Sequence, residues 1–210
     1  MEGPLRLGRP FALHLHLMRD LFDTPLLPGL ATADDLVTPA EERDLVAAID
    51  ALDLQPFRFQ GWEGKRLTHS FGLHYDFDNG ALAVTDPIPA WLAPFRDRAA
   101  RFAGLPPGTL RQALLIRYDP GAGIGWHRDR PHFEHVVGIS LGAPAELRFR
   151  RRTETGFARR TVPLPARGVY HLHGEARHAW EHSIAPMAAT RWSITLRSVS
   201  ARGQQAIGPA

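Results

Sequence analysis

Two histidine-rich stretches contain the residue types best suited to hold a metal ion. They read GWHRDRPHFEHVVGISLG and YHLHGEARHAWEH, and together they hold seven of the chain's 11 histidines. In the first stretch, His127 and Asp129 are two residues apart, so on a strand both side chains point to the same side. In the second, His182 comes just before a strand-like segment. Two histidines and one carboxylate leave positions open at the metal, as in non-haem Fe(II) oxygenases.

The segment RWSITLRSVS predicts an anion beside that metal. In a strand, Trp192, Ile194 and Leu196 lie on one face, and the opposite face is polar. The residues of the polar face are Arg191, Ser193, Thr195 and Arg197. Two arginines on an inward-facing strand surface are costly unless an anion neutralises them. The dianion 2-oxoglutarate fits, since it can chelate iron and still offer a distal carboxylate; a solvated sheet face with ordinary charges is the alternative.

Two other functions compete for the same residues. HAWEH, from His178 to His182, fits the His-x-x-Glu-His motif of inverted zinc peptidases. That chemistry needs a helix with both histidines on one face, and the stretch between Gly174 and Pro186 is short for such a helix. The second alternative is a jelly roll that binds nucleic acid without catalysis. The remaining histidines of both stretches are interpreted as bystanders.

The composition is that of a globular protein with room for one domain. The chain has 210 residues, of which 44% are hydrophobic and 22% charged. It contains no cysteine, so disulfides and thiolate-bound metals are excluded. No apolar run reaches the length of a membrane span, and we expect a cytoplasmic monomer without an obligate protein partner. Lys65 is the only lysine among 25 basic residues, and the net charge of +3 permits a nucleic-acid partner.

Helices are predicted before a β-rich C-terminal half. Thr38 and Glu41 form a capping box with Pro39 at the first helical position, and a second helix is predicted over 89–103. From Gln112 onward, short period-two segments separated by Gly and Pro indicate a β-sandwich or barrel. We therefore expect an α+β fold, with one domain over 31–200. Residues 1–30 are predicted to be a partly disordered extension, in which Met18 is an alternative start, and 201–210 a tail that is frayed over 204–210.

Four motifs in this order make the chain resemble the AlkB family of Fe(II)/2-oxoglutarate-dependent dioxygenases. They are RYDPGAGIGWHRD, VVGISLG, GEARHAWEHSI and RWSITLR. The resemblance implies a double-stranded β-helix (jelly-roll) core over about 110–200 and a nucleotide-recognition lid over about 57–80. It implies Fe(II), the cosubstrate 2-oxoglutarate and O2. The implied reaction is oxidative demethylation of alkylated nucleic-acid bases in DNA repair, with DNA favoured over RNA; RNA or protein substrates are the alternatives.

The resemblance also assigns roles in the catalytic core. The metal ligands would be His127, Asp129 and His182, and the cosubstrate residues would be Tyr118, Arg191, Ser193 and Arg197. Six residues of strand span roughly 20 Å, so the two arginines cannot hold one carboxylate unless the strand bends. The resemblance implies that Tyr118 and Arg191 hold the distal carboxylate and that Arg197 lies nearer the metal end, and the strand length favours Arg191 for the distal carboxylate. Ile116 stands where well-known family members have Asn, which leaves one cosubstrate contact without a counterpart.

On the substrate side, the segment KRLTHSFGLHYDF resembles the part of the family that covers the base. The candidates to bind a flipped base are Trp62, Arg66, Tyr75, Phe77 and Arg130. The candidates to contact a nucleic-acid backbone lie on a predicted hairpin and are Arg148, Arg150, Arg151, Arg152, Arg159 and Arg160. Two alternatives are that the aromatic residues pack the lid onto the core, and that the arginines protect a sheet edge from aggregation.

Overall fold

The structure is a computed structural model that describes residues 15–16 and 27–207, apart from 60 and 78. Expectations about residues 1–14 and 17–26 of the N-terminal extension, including the alternative start at Met18, lie outside the described residues. Leu15–His16 form a short strand, β1, whose backbone pairs with β2 (Leu30–Ala33). Part of the predicted extension therefore belongs to a sheet.

Fourteen strands and four helices are present in the described part of the chain. In chain order after β2 they are α1 (Pro39–Asp50), β3 (Gln55–Phe59), β4 (Trp62–Phe71), β5 (Leu73–Tyr75), β6 (Leu82–Val84), α2 (Ala93–Phe102), β7 (Leu110–Tyr118), β8 (Ile124–His127), β9 (Phe133–Gly142), β10 (Ala145–Thr153), β11 (Gly156–Leu164), β12 (Val169–Leu172), α3 (Gly174–His178), β13 (Glu181–Ile184), β14 (Arg191–Val199) and α4 (Ala201–Ile207). No helix in these described ranges is long and apolar enough to cross a bilayer.

Two antiparallel sheets form the core. The larger has eight strands in the order β1-β2-β12-β9-β14-β7-β4-β3, and the smaller has four in the order β11-β10-β13-β8. A hairpin of β5 and β6 stands apart from both. This arrangement confirms the predicted α+β fold with a jelly-roll core, in which chemistry is expected between the two sheets.

The two faces of the larger sheet have different roles. Its outer face packs against α1 and α2 through buried residues such as Leu45, Ile49, Leu115 and Ile194. Its inner face meets the smaller sheet in a second apolar cluster that includes Phe149. On β14 the predicted alternation is confirmed, because Ile194 and Leu196 join the helix side while Arg191, Ser193 and Thr195 are buried on the other.

Helix α1 begins as the sequence predicts. The amide of Glu41 donates to Thr38 Oγ1 at 3.2 Å, and the amide of Thr38 donates to Glu41 Oε2 at 2.8 Å, which is a complete capping box. Helix α2 starts at Ala93 rather than at Pro89, because residues 90–92 form a turn in which the amide of Leu92 donates to the carbonyl of Pro89. The predicted helix is thus confirmed with a shorter N-terminal end.

Glu41 provides a pH-dependent contact. Its carboxylate accepts two hydrogen bonds from Arg98, at 2.9 and 2.8 Å, and these bonds lower the pKa of Glu41 to about 2. Because the folded-state pKa is depressed from 4.5, the stability it contributes is complete above pH 4.5 and is lost as the pH falls toward 2. We expect Glu41→Gln to lower the free energy of unfolding by about 1 kcal/mol at neutral pH, and by less in acid.

Thermal unfolding of wild type and of Glu41→Gln between pH 7 and pH 2.5 measures the difference in their free energies of unfolding. The control is Glu63→Gln, which removes a carboxylate whose ion pair with Arg58, 3.8 Å long, lies in solvent. A gap between wild type and Glu41→Gln that stays constant over this range would contradict the assignment.

The predicted lid region, 57–80, has two parts in the structure. Its first part is sheet: β4 pairs with β7 from Leu67, opposite Arg117, to Phe71, opposite Ala113, and so extends the larger sheet. Its second part contains β5, which pairs with β6. That this region covers a substrate stays a prediction.

The predicted frayed tail is wrong up to Ile207. Residues 201–207 form α4, which packs against β6 and β14. Gly203 permits the close approach, since a Cβ at this position would lie 2.2 Å from the carbonyl oxygen of His132. The helix also receives a cap, because the amide of Gly203 donates to Ser200 Oγ at 3.1 Å.

Candidate active site

The three predicted metal ligands meet at the edge of the smaller sheet. His127 on β8 lies directly opposite His182 on β13, and their ring centroids are 4.3 Å apart. Asp129 follows two residues later, beyond the end of β8 rather than on it as the sequence interpretation assumed. Its Oδ2 lies 3.6 Å from His182 Nε2.

The donor atoms of this group fit a divalent cation. His127 Nδ1 is hydrogen bonded to the carbonyl of Gly125 at 2.9 Å, which leaves Nε2 as the donor for a metal. Asp129 Oδ2 is buried and has no hydrogen-bond partner among the described residues. A buried carboxylate oxygen without a partner is costly, and a cation would satisfy it. Nowhere in the described ranges are three His, Asp or Glu side chains close enough together to hold a metal ion without moving. The side chains of His127, Asp129 and His182 must therefore shift to bind one.

The electrostatic environment sets suitable protonation states. Burial lowers the pKa of His182 to about 3, and desolvation also lowers the pKa of His127, so both rings are neutral near pH 7. Burial opposes the ionisation of Asp129, but its neighbours, Arg197 first among them, together outweigh it and hold the pKa of Asp129 well below its usual range. Two neutral imidazoles and one carboxylate are the forms that bind metals.

Arg197 is bound to Asp129 itself. Its Nε and Nη2 lie 2.9 and 2.8 Å from Asp129 Oδ1, and its Nη1 donates to Gln112 Oε1 at 2.9 Å. Both side chains of the ion pair are largely shielded from solvent, with 11% of Arg197 and 5% of Asp129 exposed. The predicted position near the metal end therefore corresponds to a guanidinium that orients the carboxylate of Asp129.

Arg191 occupies a different environment. It is 1% exposed, its Nη2 donates to Ser140 Oγ at 3.2 Å, and its guanidinium lies 5.2 Å from the ring centroid of Tyr118. Its Nε and Nη1 are buried without hydrogen-bond partners in the described part of the chain. A buried cation with two unused donors provides the contacts that an anionic ligand needs. Ser193 is buried on the same strand face.

Most of the predicted base-binding residues are connected through aromatic contacts. The guanidinium of Arg130 lies 5.1 Å from the ring centroid of Tyr75 and 4.9 Å from that of Phe77. Phe57, which the sequence analysis missed, packs edge-on against Phe77 and lies under Arg66 at 3.7 Å. Trp62 has its backbone in β4, and its side chain is outside the described part. These contacts form a mixed cationic and aromatic surface, which we call the aromatic cluster, made of Phe57, Arg66, Tyr75, Phe77 and Arg130.

The six hairpin arginines are not equivalent. Arg150 is paired with Glu181 at 2.5 Å and Arg151 with Glu175 at 2.7 Å, so acidic neighbours offset two of the charges. Arg148 lies over the ring of Trp126, with a distance of 5.4 Å to the centroid. The other three are exposed at the tip and outer strand of the β10–β11 hairpin: Arg152, Arg159 and Arg160.

The zinc-peptidase alternative is wrong on geometric grounds. Helix α3 ends at His178, whereas His182 lies on β13. The two histidines thus share no helix face. His178 Nε2 is instead bonded to Glu134 Oε1 at 2.8 Å, while His182 is buried beside Asp129.

Three bystander histidines contact one another. His135 Nδ1 lies 2.9 Å from His171 Nε2, and the rings of His171 and His173 stack with centroids 4.7 Å apart. By strand alternation His135 shares the face of Val137, which packs on the helix side of the larger sheet. This group is therefore on the opposite face of the sheet from Arg191.

Tyr170 also contributes to the space between the sheets and was not predicted. It is buried, and burial raises its pKa to about 12. Its ring lies where a side chain at Gly138 would be, since a Cβ there would come within 2.2 Å of the ring. The glycine in the sequence VVGISL was the available signal for a large side chain packed across the strand.

Arg177 on α3 holds the loop that follows Asp129, and no sequence signal identified it. Its Nη2 donates to the carbonyls of Arg130 and Phe133, both at 2.7 Å.

We expect Arg177→Met to lower the free energy of unfolding by about 2 kcal/mol, because two carbonyls lose a charged donor. Amide hydrogen exchange should accelerate over residues 129–133. Arg128→Met, which removes an exposed bond to the carbonyl of His178, is the control, and equal effects of the two variants would contradict this role.

Comparisons with known proteins agree with this geometry. The profile of the 2OG-Fe(II) oxygenase superfamily matches residues 55–202, the range that contains all three candidate ligands. The chain is 28% identical over 190 residues to "tRNA (carboxymethyluridine(34)-5-O)-methyltransferase alkbh8" of Xenopus tropicalis, covering 88% of this chain and 29% of that protein. It is 30% identical over 193 residues to "Alkylated DNA repair protein ALKBH8 homolog" of Arabidopsis thaliana, covering 78% of this chain and 53% of that protein.

Solved structures show the same fold. The structure titled "The structure of OsALKBH1" superimposes with a TM-score of 0.65 at 16% identity, covering 88% of this chain and all of that one. By contrast, the chain spans only 29% and 53% of the two sequence relatives above.

Proposed function

Because the chain belongs to the 2OG-Fe(II) oxygenase superfamily, as an AlkB-like member, we propose that it oxidises an alkyl group on a nucleic-acid base. The superfamily uses Fe(II), 2-oxoglutarate and O2, and the chain is accordingly a dioxygenase. When bound, the iron and 2-oxoglutarate supply the oxidising chemistry, with succinate and CO2 as co-products. Loss of the oxidised methyl group as formaldehyde would restore the base.

The proposed role of each core residue follows from its contacts. His127, Asp129 and His182 would hold iron, and Arg197 would keep the carboxylate of Asp129 ionised and oriented. Arg191 would bind the distal carboxylate of 2-oxoglutarate. The observation that carries the proposal is that Arg191 is buried with two unused donors. Arg177, which holds a loop by two hydrogen bonds to carbonyls, leaves only Nε buried without a partner in the described part of the chain, whereas two of the three side-chain nitrogens of Arg191 are buried without one.

The finer proposal concerns the substrate. We propose alkylated DNA as the substrate, with repair as the role, and tRNA as the second candidate, since the name of one relative refers to DNA repair and that of another to tRNA. The aromatic cluster supports a nucleic-acid base, because cations and aromatic rings together stack on bases.

The direct test is turnover with defined substrates. Purified protein with Fe(II), 2-oxoglutarate and O2 is incubated with methylated single-stranded DNA, double-stranded DNA or tRNA, and succinate, formaldehyde and demethylated base are quantified. Equimolar succinate and repaired base with methylated DNA support alkylated DNA as the substrate. Activity on tRNA alone overturns DNA and keeps the enzyme class, and succinate without any change in nucleic acid overturns both substrates.

The exposed hairpin arginines make a separate prediction. We expect Arg159→Gln and Arg160→Gln each to weaken binding of single-stranded nucleic acid and to reduce the slope of log affinity against log salt by about 1. Fluorescence anisotropy across a salt series measures this. The control is Arg43→Gln, an exposed arginine on α1. If all three variants behave alike, the hairpin is not the contact surface and edge protection becomes the better interpretation.

A further inference from the structure

Gln112 joins the candidate metal site to the β5–β6 hairpin. It lies on β7 and is 3% exposed. Its Nε2 donates to the carbonyl of Leu73 on β5 at 3.1 Å, and its Oε1 accepts from Arg197 at 2.9 Å. Since Arg197 also binds Asp129, a continuous chain of hydrogen bonds runs from the backbone of β5 to the carboxylate.

The amide of Gln112 supplies both bonds that this path of hydrogen bonds requires. The backbone carbonyl of Leu73 requires a donor, and the guanidinium of Arg197 requires an acceptor. Gln112 presents one of each in a fixed orientation, with both groups removed from water. An apolar residue would leave the carbonyl and the guanidinium without these partners, and a carboxylate could serve only the guanidinium.

The β5–β6 hairpin, to which this path of hydrogen bonds leads, carries part of the aromatic cluster. Tyr75 is the last residue of β5, two positions after Leu73, and its ring lies 4.9 Å from that of Phe77. Leu73 also packs with Leu82 and Phe133 in one apolar group, and Phe133 lies four residues after Asp129. The hairpin is thus tied to the metal site by a polar path through Gln112 and by an apolar contact beside it.

We propose that Gln112 is a positioning residue that couples the β5–β6 hairpin to Asp129, so that a metal ion at Asp129 steadies the hairpin that carries Tyr75. This inference rests on the proposed function, because it needs a metal ion at Asp129. The coupling is reciprocal, and a base that holds the hairpin also steadies the carboxylate.

Hydrogen exchange of the full chain tests the coupling without turnover. Co²⁺ is added alone, its binding is followed by visible absorption, and backbone amide exchange is measured over 73–76 and 82–84. In the wild type, Co²⁺ should slow this exchange by about fivefold or more. In Gln112→Met, saturating Co²⁺ still binds, and exchange of the hairpin does not respond to it.

Two further variants separate coupling from general stability. Gln112→Glu keeps the acceptor for Arg197 but lacks the donor for Leu73, so it should also lose the response; it decides the question if the methionine variant does not fold. Ser198 lies next to Arg197 on β14, and Ser198→Ala removes the part-buried hydrogen bond that Ser198 Oγ accepts from the amide of His135 on β9; this variant should keep the wild-type response.

The outcomes distinguish this inference from the proposed function. If Co²⁺ binds the wild type in an Asp129-dependent way and hairpin exchange is unchanged, the coupling is overturned and the metal site stands. A full response in both Gln112 variants also overturns it. If Co²⁺ does not bind the wild type, the metal site and the coupling are overturned together.

Discussion

Replacing Asp129 by alanine is expected to lower succinate formation more than about 100-fold and to destabilise the metal-free protein by about 3 kcal/mol. Two separate losses cause this result. The proposed metal loses its anionic ligand, whose Oδ2 has no hydrogen-bond partner among the described residues. The guanidinium of Arg197 remains buried after its carboxylate is gone, and an uncompensated buried charge is strongly destabilising.

A second variant separates these two losses. Asp129→Asn keeps a neutral oxygen for Arg197, so it should recover part of the stability while Co²⁺ affinity stays low. Urea unfolding and Co²⁺ titration of both variants provide the two measurements. An alanine variant that unfolds like wild type would mean that the ion pair is not structurally important, and one that binds Co²⁺ like wild type would remove Asp129 from the ligand set.

The features that sequence reasoning predicted correctly depend on local geometry. The capping box joins residues three apart, and the alternation along β14 follows from the two-residue period of a strand. Such patterns exist before any tertiary contact forms. The order of the four motifs then indicated the jelly-roll core, which the topology of the two sheets confirms.

The residues that were missed are joined by pairing between distant strands. Ser140 reaches Arg191 across 51 positions, and Gln112 reaches Arg197 across 85. Serine and glutamine are common in loops and on surfaces, so neither type signals a buried contact by itself. Only the register of β14 against β9 and β7 places them beside the arginines.

The lid and the tail show a different limit. A register shift between Pro56 and Arg58 interrupts the alternation of β3 against β4, so this part of the sheet has no regular pattern to read. Helix α4 has only seven residues, and its packing depends on the absence of a side chain at Gly203. Because glycine has no side chain, Gly203 does not add to the spacing of apolar residues by which a helix is recognised in a sequence.

Arg191→Met is expected to have opposite effects on stability and on cosubstrate binding. The free energy of unfolding of the metal-free protein should rise by about 1–2 kcal/mol, because a buried cation with two unused donors is replaced by an apolar chain of similar length. The KM for 2-oxoglutarate should rise about 100-fold, since the distal carboxylate loses its cation. Urea unfolding and succinate formation at increasing 2-oxoglutarate measure the two effects.

The matched comparison is Arg197→Met, six residues along the same strand. Its guanidinium is bonded to Asp129 and Gln112, so its removal leaves a carboxylate buried without its cation and should destabilise the protein. Opposite signs for the two changes in stability would distinguish an arginine that binds an added anion from one that binds the protein's own carboxylate. If Arg191→Met destabilises the protein as much as Arg197→Met and leaves the KM for 2-oxoglutarate unchanged, Arg191 is a structural residue and the distal carboxylate binds elsewhere.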